Sequence, residues 1–196
     1  MPVLSCIKLS DDERRALLDL VWQVLEQALA GRGFQLPNAP QSETLSQPAA
    51  SFVTLHHNGQ LRGCIGSLSA DEALWKNVCH NAYASGFKDA RFAPLTVQDK
   101  AGLSVEVSVL STFTPVENLG EVELLQRLRP AIDGLLLEDQ RHRAVFLPSV
   151  WQALPEPDQF VAALKAKGGW PPGYWSKDID IHLFATTVIS DNAGSV

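Results

Sequence analysis

Ser51-Phe52-Val53-Thr54-Leu55-His56, then His57-Asn58-Gly59, then Leu61-Arg62-Gly63-Cys64-Ile65-Gly66 is the stretch whose reading decides the fold. Two β-prone runs flank an Asn-Gly pair, and both residues of that pair tolerate the positive φ that a type I′ turn demands, so the segment predicts a β-hairpin. Cys64 falls on the second strand, between two glycines and two residues from Arg62. Glycine inside a strand costs backbone entropy and leaves nothing to pack. Gly63 and Gly66 therefore predict close approach of another backbone or of a ligand.

Outward from the hairpin, the patterns alternate between the two periods. Ser10 caps a predicted helix, with Glu13 placed to complete a capping box, and Leu17, Leu18, Val21, Leu25, Ala28 and Leu29 recur at helical spacing to about Ala30. Residues 34–50, rich in Pro, Ser, Gln and Asn, read as a surface connection and the place for mobility. After the hairpin, 71–87 predicts a helix that covers it, with Leu74, Val78, Cys79 and Ala82 on one side and Trp75 at the edge. Leu103 to Ser111 alternates with period two, which places Glu106 on the polar face of a half-buried strand. Further on come a helix at 121–128, strands at 132–137 and 143–147, and helical spacing at 149–153 and 158–167 that Gly168-Gly169 closes. Ile179, Ile181, Leu183 and Ala185 alternate again, predicting a strand that joins the sheet begun near residue 51. Strands broken by helices without a βαβ rhythm give an α+β protein, with a mixed or antiparallel sheet flanked by helices.

The composition sets bounds. A chain of 196 residues, 45% hydrophobic and 19% charged, suffices for one core or a core with a smaller lobe. Its apolar runs fall short of the ~20 residues a spanning helix needs, and Met1-Pro2-Val3-Leu4 lacks a secretory pattern. With three cysteines, Cys6, Cys64 and Cys79, and no CxxC pair, a reducing, cytoplasmic setting is expected. A net charge of -6 argues against nucleic acid, leaving only a local basic cluster at Arg127, Arg129, Arg141, His142 and Arg143. No spacing for a zinc or iron site and no phosphate-cradling loop ahead of a helix occurs, so no metal is expected.

Cys64 is the leading chemical candidate, because a thiolate is a strong nucleophile and a nearby cation such as Arg62 favours that form. On a regular strand residues 62 and 64 share a side, so a substrate carboxylate or phosphate could bridge to Arg62. The alternative is a small buried cysteine chosen for fit, with Arg62 paired to a surface acid. His56 is the best placed of the five histidines to act as a base and Glu106 is the other candidate; each is equally readable as a surface strand residue. Asp89 and Arg91 either form an ion pair that fixes their loop or present charge to a ligand. For Trp151, Trp170, Tyr174 and Trp175, core packing is the better reading than a ligand surface.

The hairpin motif, together with Asp89-Ala90-Arg91-Phe92-Ala93-Pro94-Leu95-Thr96, Glu106-Val107-Ser108-Val109-Leu110-Ser111, Ile132-Asp133-Gly134-Leu135 and Val145-Phe146-Leu147-Pro148-Ser149-Val150-Trp151, resembles the AMMECR domain family, known in bacteria and archaea as AmmeMemoRadiSam system protein A. Ala90 and Ala93 stand where that family has prolines, and Ala144 where a glycine is common. The resemblance spans nearly all of 1–196 and implies an α+β main domain with a smaller lobe packed on it. It strengthens Cys64 as the nucleophile and implies no particular reaction; the residues themselves offer Cys64, Glu106 and His56 as catalytic candidates and Arg62, Gly63, Gly66, Asp89 and Arg91 as candidates to bind a small substrate. It also implies company: an enzyme or enzyme component or, alternatively, a non-catalytic scaffold working with Memo-type and radical S-adenosylmethionine proteins. Neither the residues nor the resemblance names a cofactor.

Overall fold

A computed structural model describes residues 6–191. Its strands are β1 (Ser51–His57), β2 (Gln60–Gly66), β3 (Leu103–Leu110), β4 (Thr114–Val116), β5 (Gly134–Glu138), β6 (Arg143–Phe146), β7 (Asp180–Phe184) and β8 (Thr186–Ser190). Its helices are α1 (Asp11–Gln27), α2 (Glu43–Ser46), α3 (Leu74–Phe87), α4 (Glu121–Arg127) and α5 (Pro157–Gly168). The fold is α+β, with two four-stranded sheets ordered β2-β1-β3-β8 and β4-β7-β5-β6. Each sheet lies in its own compact unit, one built on Ile7–Leu110 and the chain from Thr187, the other on Ser111–Thr186. Among the described residues no helix is long and apolar enough to cross a membrane.

The first unit grows from the hairpin. Asn58 and Gly59 take φ of 51° and 79°, as the Asn-Gly pair requires. Val53, Leu55, Val105, Val107 and Val109 turn to one side of the sheet and join Leu17, Val21, Leu25, Leu74, Val78 and Ala82 of α1 and α3 in one buried cluster. Each such side chain removed from water contributes about 1.5–3 kcal/mol, so the helices must lie on this face. The capping box forms as predicted: Ser10 N–H donates to Glu13 Oε2 at 2.8 Å and Glu13 N–H donates to Ser10 Oγ at 3.3 Å. Trp75, expected at an edge, is buried with Leu74. Within 34–50, Ser42 caps α2 and its hydroxyl donates to Glu13 Oε1 at 2.7 Å, while Leu45 is fully buried. That stretch is thus pinned at its centre by an apolar anchor that its polar composition hides.

In the second unit the predicted hairpin is β5–β6, with Leu135 opposite Phe146 and Leu137 opposite Ala144. Phe160 of α5 stacks on Trp151, ring centroids 3.8 Å apart, and Trp151 and Trp170 are core residues as expected. Tyr174 departs from that expectation and is exposed.

One prediction is corrected. The alternating run near Ile179 forms β7, which pairs with β4 and β5 of the second sheet; the strand that returns to the first sheet is the next one, β8. Period two tells which side chains share a face but not which sheet receives them. Leu183 and Ile181 meet Leu135 and Leu137 directly across the β5 edge, which decides the pairing.

Candidate functional site

β2 is an edge strand, and its register carries the main local surprise. From the turn, His57 pairs with Gln60 and His56 with Leu61, but Leu55 pairs with Gly63 and Thr54 with Cys64. Arg62 is the extra residue of a β-bulge. A bulge breaks the alternation of sides, so the expected shared side for residues 62 and 64 no longer follows. Arg62 is instead committed elsewhere: its Nε and Nη2 reach the two Asp99 carboxylate oxygens at 3.4 Å, and Nη2 donates to the Pro94 carbonyl at 3.3 Å. Asp99 is held in turn by the Thr96 N–H and hydroxyl at 2.7 and 2.8 Å.

The cation beside Cys64 is Arg91. The Cys64 N–H donates to Asp89 Oδ2 at 2.9 Å, and Arg91 Nη2 donates to the Cys64 carbonyl at 3.3 Å. Arg91 also gives its N–H and Nε to Asp89 Oδ1 at 3.1 and 3.0 Å and its Nη2 to Oδ2 at 2.7 Å. The Arg91 hydrogen bonds first, and then the Cys64 N–H, hold the buried Asp89 carboxyl well below the usual carboxylate range. The pair therefore closes the outward-facing backbone groups of an edge strand that would otherwise lack partners.

The glycines answer to neighbours on both sides of β2. A Cβ on Gly63 would lie 2.1 Å from the Ser85 carbonyl oxygen, so the approaching backbone is that of α3. There the Ser85 hydroxyl stands inside the ladder, accepting from the Ile65 N–H at 2.8 Å and donating to the Val53 carbonyl at 2.7 Å. A Cβ on Gly66 would lie 2.2 Å from the Phe52 ring, which covers the glycine from the opposite strand.

The other face of the first sheet carries the chemistry. Cys64, Thr54 and Glu106 are in register across β2, β1 and β3, and His56 stands two residues beyond Thr54 on the same face. All four are half-buried. Because the Cys64 backbone turns outward to Asp89 and Arg91, Cys64 and Thr54 form a non-hydrogen-bonded pair, the kind whose side chains lie closest. The Thr54 hydroxyl accordingly lies 3.3 Å from Cys64 Sγ. Thr54 then turns its own backbone toward β3, so Cys64 and Glu106 are about 10 Å apart at Cα, with the threonine between them. Among the described residues neither the Glu106 carboxylate nor the His56 ring has a hydrogen-bond or ion-pair partner. His57, His80 and His142 do have partners, at Ala101, Glu72 and Asp139. Cys79 is the core residue its helical position suggested, its thiol pushed up to about 12 by burial and then by Glu72. Among the described residues no three His, Cys, Asp or Glu side chains are grouped to hold a metal ion.

Sequence reasoning missed Thr54, Ser85 and Asp99. The signal for Thr54 was present, a hydroxyl in the strand facing the cysteine, but only the register selects it.

Comparison with known proteins gives one consistent answer. A protein of Methanothermobacter thermautotrophicus is 28% identical over 191 residues, covering 94% of this chain and 97% of the relative. Protein MJ0810 of Methanocaldococcus jannaschii is 28% identical over 176 residues, covering 86% and 85%. The crystal structure of Uncharacterized Protein PH0010 from Pyrococcus horikoshii superposes with a TM-score of 0.84 at 26% identity, covering 92% of both chains. The AMMECR1 family model matches residues 18–189, which takes in the hairpin, the Asp89 loop, β3 and the whole second sheet. The chain belongs to the AMMECR1 family.

Proposed function

We propose that the polar face of the first sheet is a small-substrate site and that the protein is an enzyme, or the reacting component of one, with Cys64 as nucleophile. Glu106 is its proton acceptor and His56 a second titratable group beside the bound substrate. The observation that carries this reading is the pair of half-buried, unpartnered side chains, Glu106 and His56, on the same face as the thiol. Charged side chains taken partly out of water for structural reasons are normally paired, as Asp89, Arg91, Arg62 and Asp99 are; those left without partners in reach of a nucleophile mark a site. Arg62, Asp89, Arg91, Gly63 and Gly66 then serve the site by fixing the strand that bears the sulfur, and Arg91 is the one with a guanidinium still open to a substrate anion. The chemistry is attack of the thiolate on an electrophilic carbon of a small molecule, giving a covalent intermediate that water or a second substrate resolves.

The test is to offer the purified protein a panel of small acyl phosphates, thioesters and activated esters and follow adducts and turnover by mass spectrometry. An adduct on Cys64, with turnover lost in Cys64→Ala and cut at least ~100-fold in Glu106→Gln, supports the reading. Undiminished turnover in Cys64→Ala ends it. A scaffold for Memo-type or radical S-adenosylmethionine proteins would form no Cys64 adduct, and its partner association would survive Cys64→Ala.

A further inference from the structure

We infer that Thr54 is a proton relay that couples Cys64 to Glu106. The inference rests on the reading of Cys64 as the reacting sulfur and adds a residue that reading does not contain.

Three observations carry it. The Thr54 hydroxyl donates to Cys64 Sγ at 3.3 Å, and once its O–H rotates toward Glu106 the same oxygen can accept from the S–H. The same residue is the cross-strand partner of Cys64 on one side and of Glu106 on the other, which makes it the one side chain between them in the row. The Glu106 carboxylate has no hydrogen-bond partner among the described residues, Thr54 included, so the relay requires that carboxylate to turn to the Thr54 hydroxyl across the β1–β3 pair. A hydroxyl is both donor and acceptor, so it can take a proton on one side while giving one up on the other.

The step balances without another reactant. Cys64 S–H gives its proton to Thr54 Oγ1 as Thr54 O–H gives its own to a Glu106 carboxylate oxygen. The S–H bond breaks, its electron pair stays on sulfur, and that pair forms the bond to the electrophile. Throughout, the row holds one negative charge, moved from carboxylate to sulfur. This answers an electrostatic difficulty: ionising the thiol beside an already ionised Glu106 would place two like charges on one half-buried face. A relay avoids that state, and it explains how a thiol can be activated with Arg62 withdrawn to Asp99. The other titratable groups near the row are His56 on β1, Asp89 at the Cys64 N–H and Arg91 at the Cys64 carbonyl; β8 brings none among its described residues.

The experiment measures iodoacetamide alkylation of Cys64, read by peptide mass spectrometry from pH 5 to 9, in the parent, Thr54→Val, Thr54→Ser, Glu106→Gln, His56→Asn and the Thr54→Val/Glu106→Gln double variant. Valine keeps the β-branched shape and serine keeps the hydroxyl, so fold and relay are separated. A relay gives the parent a low-pH limb of reactivity that Glu106→Gln removes. Thr54→Val and Glu106→Gln should each slow the pH 6 rate about tenfold or more, the double variant should be no slower than either alone, and Thr54→Ser should stay within about twofold of the parent. Multiplying effects in the double variant, or a limb lost with His56→Asn instead, overturns the relay. If Glu106→Gln slows alkylation and Thr54→Val does not, the relay falls while Glu106 as proton acceptor stands. If neither slows it, both fall.

Discussion

Gly63→Ala tests the central packing claim, that β2 and α3 meet backbone to backbone. The added Cβ would sit 2.1 Å from the Ser85 carbonyl oxygen and 3.0 Å from its carbon. Neither atom belongs to a flexible side chain, so the helix and strand must separate by about an ångström to reach ordinary contact. Overpacking of this kind costs about 1–3 kcal/mol. The same displacement pulls the Ser85 hydroxyl from the Ile65 N–H and the Val53 carbonyl, now at 2.8 and 2.7 Å, leaving two buried backbone groups unsatisfied. At roughly 1 kcal/mol for each lost bond, the total is about 3–5 kcal/mol, or a fall in Tm on the order of 10 °C for a chain of this length. Urea unfolding followed by circular dichroism gives the free energy, and amide exchange at Ile65 gives the local loss. Ser85→Ala supplies the control: its own cost should be about 1–3 kcal/mol, and the double variant should fall short of the sum, because both act through one contact. A Gly63→Ala protein within about 1 kcal/mol of the parent would refute the close approach.

Other outcomes follow from the same geometry. Gly66→Ala should cost less, about 1–2 kcal/mol by urea unfolding, since the obstructing group is the Phe52 ring, which can turn, and not a backbone. Asp89 has a folded-state pKa held below its unfolded value of about 3.9, so its contribution is present above that pH and is lost as the pH falls through the folded value; urea midpoints at pH 7 and pH 3 should differ less in Asp89→Asn than in the parent. Cys64 should outpace Cys79 in competitive alkylation of the folded protein by far more than tenfold, because Cys79 is buried and its thiol pushed up to about 12; comparable labelling would remove the basis for an accessible Cys64. Deleting Arg62 should remove the bulge while keeping Leu55 opposite Gly63 and Thr54 opposite Cys64, so mass-spectrometric labelling of the native thiol should stay within about twofold of the parent, and a several-fold drop would refute this register.

Much of this fold was legible because each element carries its own local signal. The Asn58-Gly59 pair announces the hairpin, Ser10 and Glu13 announce α1, and Gly168-Gly169 closes α5, whose cap Gly169 is left-handed at φ 85°. What was not legible is non-local. The alternation at Ile179 fits any sheet edge, and only the length and position of β5 assign it to the second sheet. Leu45 stands alone between Gln41-Ser42-Glu43-Thr44 and Ser46-Gln47, with no period to mark it. The polar assignment of Glu106 held because β3 alternates from Leu103 through Val107, while the pairing of Arg62 with Asp99 joins positions with no pattern between them.

The bulge shows why the site could be named in sequence before its geometry could be. Counted back from a two-residue turn, a regular hairpin places Leu55 opposite Arg62 and Val53 opposite Cys64. Val53 is fully buried on the face covered by α1 and α3, so in that register the thiol would be a core cysteine, and Gly63 would look the other way. One extra residue at Arg62 shifts the pairing by one, and a shift of one exchanges the faces. Gly63 turns to α3, where only a glycine fits against Ser85, and Cys64 turns to the face of Thr54, Glu106 and His56. The two readings of Cys64, buried filler or reacting thiol, thus differ by a single residue of register. Arg62 to Asp99, Ser85 into the ladder, and Asp89 with Arg91 on the outer edge are the three attachments that hold that register. Their cost in buried polar groups is intelligible if what they secure is the direction in which one sulfur points.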